Sequence, residues 1–130
     1  MKKTTLTRSE LEIMMLLWKE GKPLTASEII EHSTDKTWKD SYVHLLINSL
    51  LNKGMIRAEG FAKTTKNYAR TFIPALTKAE YAVQQITGKQ GLCKKTVVSI
   101  VSALIDRSDD PKALICRLEK MITEKKANLN

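Results

Sequence analysis

The sequence predicts a mainly α-helical chain with one small β-hairpin, on three observations. Helix-start signals recur, apolar residues repeat at helical spacing through most of the chain, and a single stretch, residues 55–73, alternates with period two about a polar loop. Three segments share the start signal of a threonine followed three positions later by glutamate: Thr7 to Glu10, Thr25 to Glu28 and Thr77 to Glu80. In each, the hydroxyl and the carboxylate satisfy backbone N–H groups that the first helical turn leaves free.

The first helix is expected from Arg8 to Glu20, with Leu11, Met14, Met15, Leu17 and Trp18 inward and Gly21 as its stop. Pro23 keeps the following connection extended. A short second helix, Ala26 to His32, offers Ile29 and Ile30 to the core. A polar loop, 33–37, then leads to a third helix expected from Lys39 to Asn52. Its Val43, Leu46, Ile47, Leu50 and Leu51 form one apolar stripe. At 100° per residue the opposite face carries Ser41, Leu45, Asn48 and Asn52, with Tyr42 and Ser49 on its flank. No acid lies on that face, Asp40 sits in the first turn where the helix dipole favours an anion, and Lys53-Gly54 closes the helix.

Strands are expected at 55–59 and 68–73, joined by a basic, acid-free loop from Gly60 to Asn67, with Pro74 ending the second. Three helices followed by a basic hairpin is the order of a winged helix-turn-helix. Beyond it, a fourth helix runs from Thr77 to Thr87 and stops at Gly88. A fifth, Lys94 to Arg107, carries Val97, Val98, Ile100, Val101, Ala103, Leu104 and Ile105, too wide an apolar arc for one buried side. Asp109, Asp110 and Pro111 open a sixth, in which Leu114, Ile115, Leu118, Met121 and Ile122 form a stripe before a fraying, lysine-rich end.

The chain has 130 residues, 42% of them hydrophobic and 28% charged, which suits one compact domain with an appendage. No run approaches a membrane span, and the basic first residues lead into a charged amphipathic segment rather than a signal peptide. The expected location is the cytoplasm. The formal charge is +8, with 12 Lys/Arg against 8 Asp/Glu in residues 1–75 and 10 against 6 in 76–130. The sharper concentration is Lys53, Arg57, Lys63, Lys66 and Arg70, which face only Glu59. Such a cluster is the footprint of a polyanion partner, although a solvated basic surface has the same composition.

No nucleotide-loop, nucleophile-elbow or zinc-protease motif occurs, and neither His32 nor His44 has a carboxylate or nucleophile at a suggestive spacing. Cys93 and Cys116 stand alone, without a paired cysteine motif or a nearby histidine. No catalytic site, cofactor or metal is expected.

A polar helix face is by itself a solvated face as readily as a recognition surface. The lysine- and threonine-rich hairpin that follows favours recognition of double-stranded DNA, and Leu45 could touch thymine methyls in a major groove. The expected contact residues are Thr37, Lys39, Ser41, Tyr42, Leu45 and Asn48 at the third helix. In the hairpin they are Lys63, Thr64, Thr65, Lys66 and Arg70. The expected domains are a winged unit at 1–76 and a helical dimerisation region at 77–130, with Val97, Val98, Val101, Leu104, Ile105, Leu114, Leu118, Met121 and Ile122 at a homodimer interface. The competing reading is a winged-helix module whose partner is protein or RNA.

Residues Leu6 to Tyr81 resemble the penicillinase repressor family of winged-helix transcriptional regulators. The shared features are Leu6-Thr7-Arg8-Ser9-Glu10-Leu11-Glu12-Ile13-Met14 running to Leu17-Trp18, Thr37-Trp38, Leu50, Lys53-Gly54 and the wing ending Tyr68-Ala69-Arg70-Thr71-Phe72-Ile73-Pro74. The resemblance implies a cytoplasmic dimeric repressor of β-lactam or copper resistance genes, acting on a palindromic, inverted-repeat operator. After the tryptophan the family carries Ser-Pro-Lys-Thr or a close variant, where this chain has Lys39-Asp40-Ser41-Tyr42. The Asn-Phe bond cleaved in β-lactam-responsive members corresponds to Ser102-Ala103-Leu104, and the cysteine cluster of copper-responsive members has no counterpart in 124–130. Fold and DNA binding carry over; the inducing signal does not.

Overall fold

The computed structural model describes residues 5–65, 67–87 and 91–129. The helices are α1 Arg8–Glu20, α2 Ala26–His32, α3 Val43–Asn52, α4 Lys78–Thr87, α5 Lys94–Asp106 and α6 Pro111–Leu129; strands β1 Ile56–Lys63 and β2 Tyr68–Pro74 lie between α3 and α4. Residues group into two compact units, 1–89 and 90–130.

All three capping boxes form. Thr7, Thr25 and Thr77 accept from the N–H of Glu10, Glu28 and Glu80 at 3.2, 3.1 and 3.0 Å, and each carboxylate accepts the threonine N–H in return. Gly21 ends α1 with φ of 65°, donating its N–H to Leu17 O at 3.1 Å, a left-handed cap that a side chain would strain. The buried face of α1 differs from the expected stripe. Glu10, Ile13, Met14 and Leu17 are buried, while Leu11 and Met15 are exposed. The stripe is rotated because two apolar residues on the flank satisfy the same periodicity as the true core positions.

The core of the first unit joins Ile13, Met14 and Leu17 of α1 with Ile29 of α2, with Val43, Ile47 and Leu50 of α3, and with Trp38, Met55, Ile56 and Phe72. Leu24 adds a third, one-residue rung to the sheet, exchanging backbone hydrogen bonds with Phe72 at 3.2 and 2.8 Å. This tie fastens the extended connection after Pro23 to the hairpin.

The hairpin is longer on its first strand than the sequence suggests. Pairing of β1 with β2 runs from Ile56↔Pro74 to Ala58↔Phe72, shifts register, and resumes from Phe61↔Arg70 to Lys63↔Tyr68. At the shift, Gly60 takes φ of +77°, and the Thr71 hydroxyl donates to Glu59 O. The bulge twists the strand without ending it, which is why period-two alternation stopped at residue 59. Thr64 closes the turn: its N–H and hydroxyl both donate to Asn67 O, at 2.6 and 2.7 Å. Lys66 and Gly88 lie outside the described residues.

The α3 region begins with a 3₁₀ turn, Asp40–Tyr42, so the α-helix proper starts at Val43 rather than Lys39. Beyond the hairpin, α4 belongs to the first unit. Tyr81 packs on the core, its ring 5.6 Å from that of Trp18, and Trp18 Nε1–H donates to Leu76 O at 3.0 Å. The compact unit therefore runs past the functional boundary expected at 76/77.

The second unit is a pair of helices. α5 ends at Asp106, one residue early, and α6 stays helical to Leu129 instead of fraying, as its run of Glu, Lys and Ala favours. None of the described residues of α5 or α6 is buried within the chain. The two-sided burial expected for α5 is thus absent in one chain: Ile105, Leu114 and Leu118 are half-buried, while Val98 and Leu104 are 66% and 60% exposed. No helix among the described residues is long and apolar enough to cross a membrane.

Candidate nucleic-acid interface

The third helix presents the two faces that its periodicity implies. Val43, Ile47 and Leu50 are buried and Leu46 and Leu51 half-buried, leaving Ser41, Tyr42, Leu45, Asn48 and Asn52 on the outer side. Leu45 is 67% exposed and Tyr42 51%, large apolar surfaces with no cover inside the unit. A groove of about 370 Å³ runs between α2, α3 and the hairpin, with His44 and Asn48 on the helix side and Arg70 on β2. His44, which the sequence offered only as a histidine without a catalytic partner, lines the same groove as Arg70.

Pairing across the sheet makes an aromatic and cationic patch of the wing. Phe61 is opposite Arg70, Lys63 is opposite Tyr68, and all four side chains are exposed. Arg70 also lies 5.9 Å from the Phe72 ring, at the outer edge of cation–π range.

Not every expected contact residue is equally free. Thr37 N–H and its hydroxyl both donate to the Glu12 carboxylate, at 3.0 and 2.8 Å, so its donors serve to hold the loop before α3. The Thr64 hydroxyl is likewise committed to the turn, whereas Lys39, Thr65 and Lys63 are exposed. Two charges of the basic cluster are neutralised locally. Arg57 pairs with Glu59 at 3.3 Å, and Lys53 pairs with Glu10 at 2.6 Å. Among the described residues, the outward basic charge of the wing is Lys63 and Arg70.

Behind α3 lies a network that local spacing in the sequence does not reveal. Glu10 is 2% exposed. One carboxylate oxygen accepts from Thr7 N–H at 2.8 Å and from Lys53 Nζ at 2.6 Å; the other accepts from the Ser49 hydroxyl. Lys53 Nζ also donates to Thr5 O at 2.9 Å. Burial alone would raise the Glu10 pKa, but the Lys53 ammonium, the Ser49 hydroxyl and the Thr7 donors outweigh it and hold it at about 2. An ionised carboxylate in α1 thus grips the C-terminal turn of α3 from behind. At the other end of that segment, buried Trp38 anchors the approach, with Lys36 Nζ 5.4 Å from its ring and 2.7 Å from Asp40.

Three helices followed by a bulged hairpin, with an exposed polar face on the third helix and basic residues on the hairpin, define a winged-helix module. A family model described as penicillinase repressor matches residues 6–124, and the chain belongs to that family. It is accordingly a DNA-binding transcriptional repressor and not an enzyme. A protein of Latilactobacillus sakei described as an uncharacterized 16.5 kDa protein in the ptsI 3' region is 29% identical over 122 residues, covering 94% of this chain and 81% of the relative. Among solved structures, Lactococcus lactis ZitR in complex with DNA is 17% identical, with coverage of 94% and 76% and a TM-score of 0.43. AF1382 of Archaeoglobus fulgidus is 21% identical, with coverage of 74% and 90% and a TM-score of 0.42.

Proposed function

We propose that the chain is a cytoplasmic repressor that binds an inverted-repeat operator as a homodimer, with the outer face of α3 in the major groove and the wing on the flanking backbone. The observation that carries this reading is the exposed set Tyr42, Leu45 and Asn48, set beside a groove that Arg70 borders. An amide at position 48 suits bidentate hydrogen bonding to a base edge, and Leu45 suits a thymine methyl. Ser41 and Lys39 stand at the start of the same face, within reach of the adjoining backbone, and Thr37 holds the loop that brings them there.

Division of labour follows from exposure. Residues 1–76 carry the DNA surface, and 77–130 join two protomers through α5 and α6, while α4 also braces the first unit. Val97, Val98, Val101, Leu104, Met121 and Ile122 are all more than a third exposed, an apolar surface that a second copy would cover. A two-fold dimer presents two recognition helices to two half-sites.

Asn48→Ala is expected to cost about 1–3 kcal/mol on the specific duplex while leaving binding to scrambled DNA unchanged. Fluorescence anisotropy on both duplexes measures it, and an equal loss on both would remove Asn48 from base reading. Lys63→Ala with Arg70→Ala should weaken all duplexes alike and reduce the slope of log K against log salt by about 0.9 for each lost phosphate contact. An unchanged slope would take the wing off the backbone.

A further inference from the structure

We infer that the cleft between the C-terminal end of α1, the end of β2 and the start of α4 binds a small amphipathic carboxylate, a compact apolar body bearing one anionic group. Its volume of about 530 Å³ suits a ligand of that size. The walls are apolar, with Trp18, Pro23, Ile73, Pro74 and Leu76 among them. They are also preformed: Trp18 is fixed by its hydrogen bond to Leu76 O at 3.0 Å and by its ring contact with Tyr81. A rigid wall loses little freedom when a ligand is seated.

Charge at the rim selects the ligand. Lys22 and Lys78 both line the cleft and both are exposed, and neither forms an ion pair with a described residue. The single acid in the lining, Glu80, is held in the α4 capping box, where its carboxylate accepts Thr77 N–H at 2.7 Å. An apolar body against Trp18 and Pro74 would therefore leave its anionic end at a rim that carries Lys22 and Lys78. A neutral compound of the same shape keeps the apolar contacts but lacks the attraction to the two ammonium groups.

The position of the cleft makes it regulatory, a consequence that rests on the operator-binding function proposed above. α1 carries the Glu10 grip on α3, β2 carries Arg70, and both contribute to the cleft walls. A ligand that favours one arrangement of α1, β2 and α4 shifts operator affinity by its differential affinity for the two arrangements, and operator shifts ligand affinity by the same factor.

The test is calorimetric titration of the full chain with benzoate, 4-phenylbutyrate and octanoate, each beside its primary amide. At least one acid should bind saturably, one per chain, roughly fivefold more tightly than its amide. Lys22→Gln with Lys78→Gln should abolish that preference without changing the unfolding temperature. The favoured acid should then change operator affinity in the wild-type chain and not in the double variant. Saturable binding by none of the acids up to about 10 mM, or a preference that survives the double substitution, overturns the site. Binding that leaves operator affinity unchanged overturns its regulatory role. Because the calorimetry contains no DNA, failure to find an operator would count against the proposed function and not against the site.

Discussion

A Val101→Asp chain is expected to sediment as a monomer and to bind its operator about a hundredfold or more weakly than the wild type. Val101 lies on α5, a helix with no buried residue in the isolated chain, and is 38% exposed. Covering it with a second protomer would take it out of water, and a carboxylate introduced there would be buried without a partner. Dissociation removes the second recognition helix and with it the high effective concentration that the first contact confers. Val101→Ala, which only trims the side chain, should keep the dimer and most of the affinity. Sedimentation beside operator titration reads both effects. A dimeric Val101→Asp chain with undiminished affinity would move the interface elsewhere.

The second large effect is expected at Glu10. Its folded pKa of about 2 lies below the ordinary value of 4.5, so the unfolded chain binds the proton more readily. The resulting stability is fully present above the unfolded value and is lost as pH falls toward the folded one. A shift of this size corresponds to about 3 kcal/mol at neutral pH. Glu10→Gln should therefore lose about that much stability in urea unfolding at pH 7, with Lys53 and Ser49 left facing a neutral amide. Between pH 5 and 2 the wild type should weaken while the variant changes less, so that the two curves converge. Curves that stay parallel over that range would show that the carboxylate charge contributes nothing. The Glu10→Gln chain should also bind operator less well at temperatures where it is fully folded, because the C-terminal turn of α3 has lost its grip.

How far the sequence was legible depended on the range of each interaction. The starts of α1, α2 and α4 were readable because each capping box closes within four residues, and the outer face of α3 was readable because periodicity sorts it. Glu10 was equally visible as a capping residue, but its burial depends on Ser49 and Lys53, which local spacing does not bring into view. For the same reason Lys53 was counted with the basic cluster when its charge is turned inward. The end of β1 was misplaced because a bulge at Glu59 and Gly60 interrupts the alternation that identifies a strand. Leu11 and Met15 were placed in the core because an apolar side chain on the flank of a helix looks the same in one dimension as one facing inward. The density of apolar residues in α5 predicted burial on two sides, and a single chain leaves that surface exposed.

The most direct measurement is to sequence the DNA that the full-length chain retains from a pool of random duplexes at physiological salt. Two half-sites related by a two-fold axis should be enriched, their centres about one helical turn or a multiple of it apart. Retention should fall steeply as salt rises, and the Asn48→Ala chain should lose the enriched positions. A pool with no enriched sequence, a single unpaired half-site, or tighter retention of RNA than of duplex DNA would contradict it.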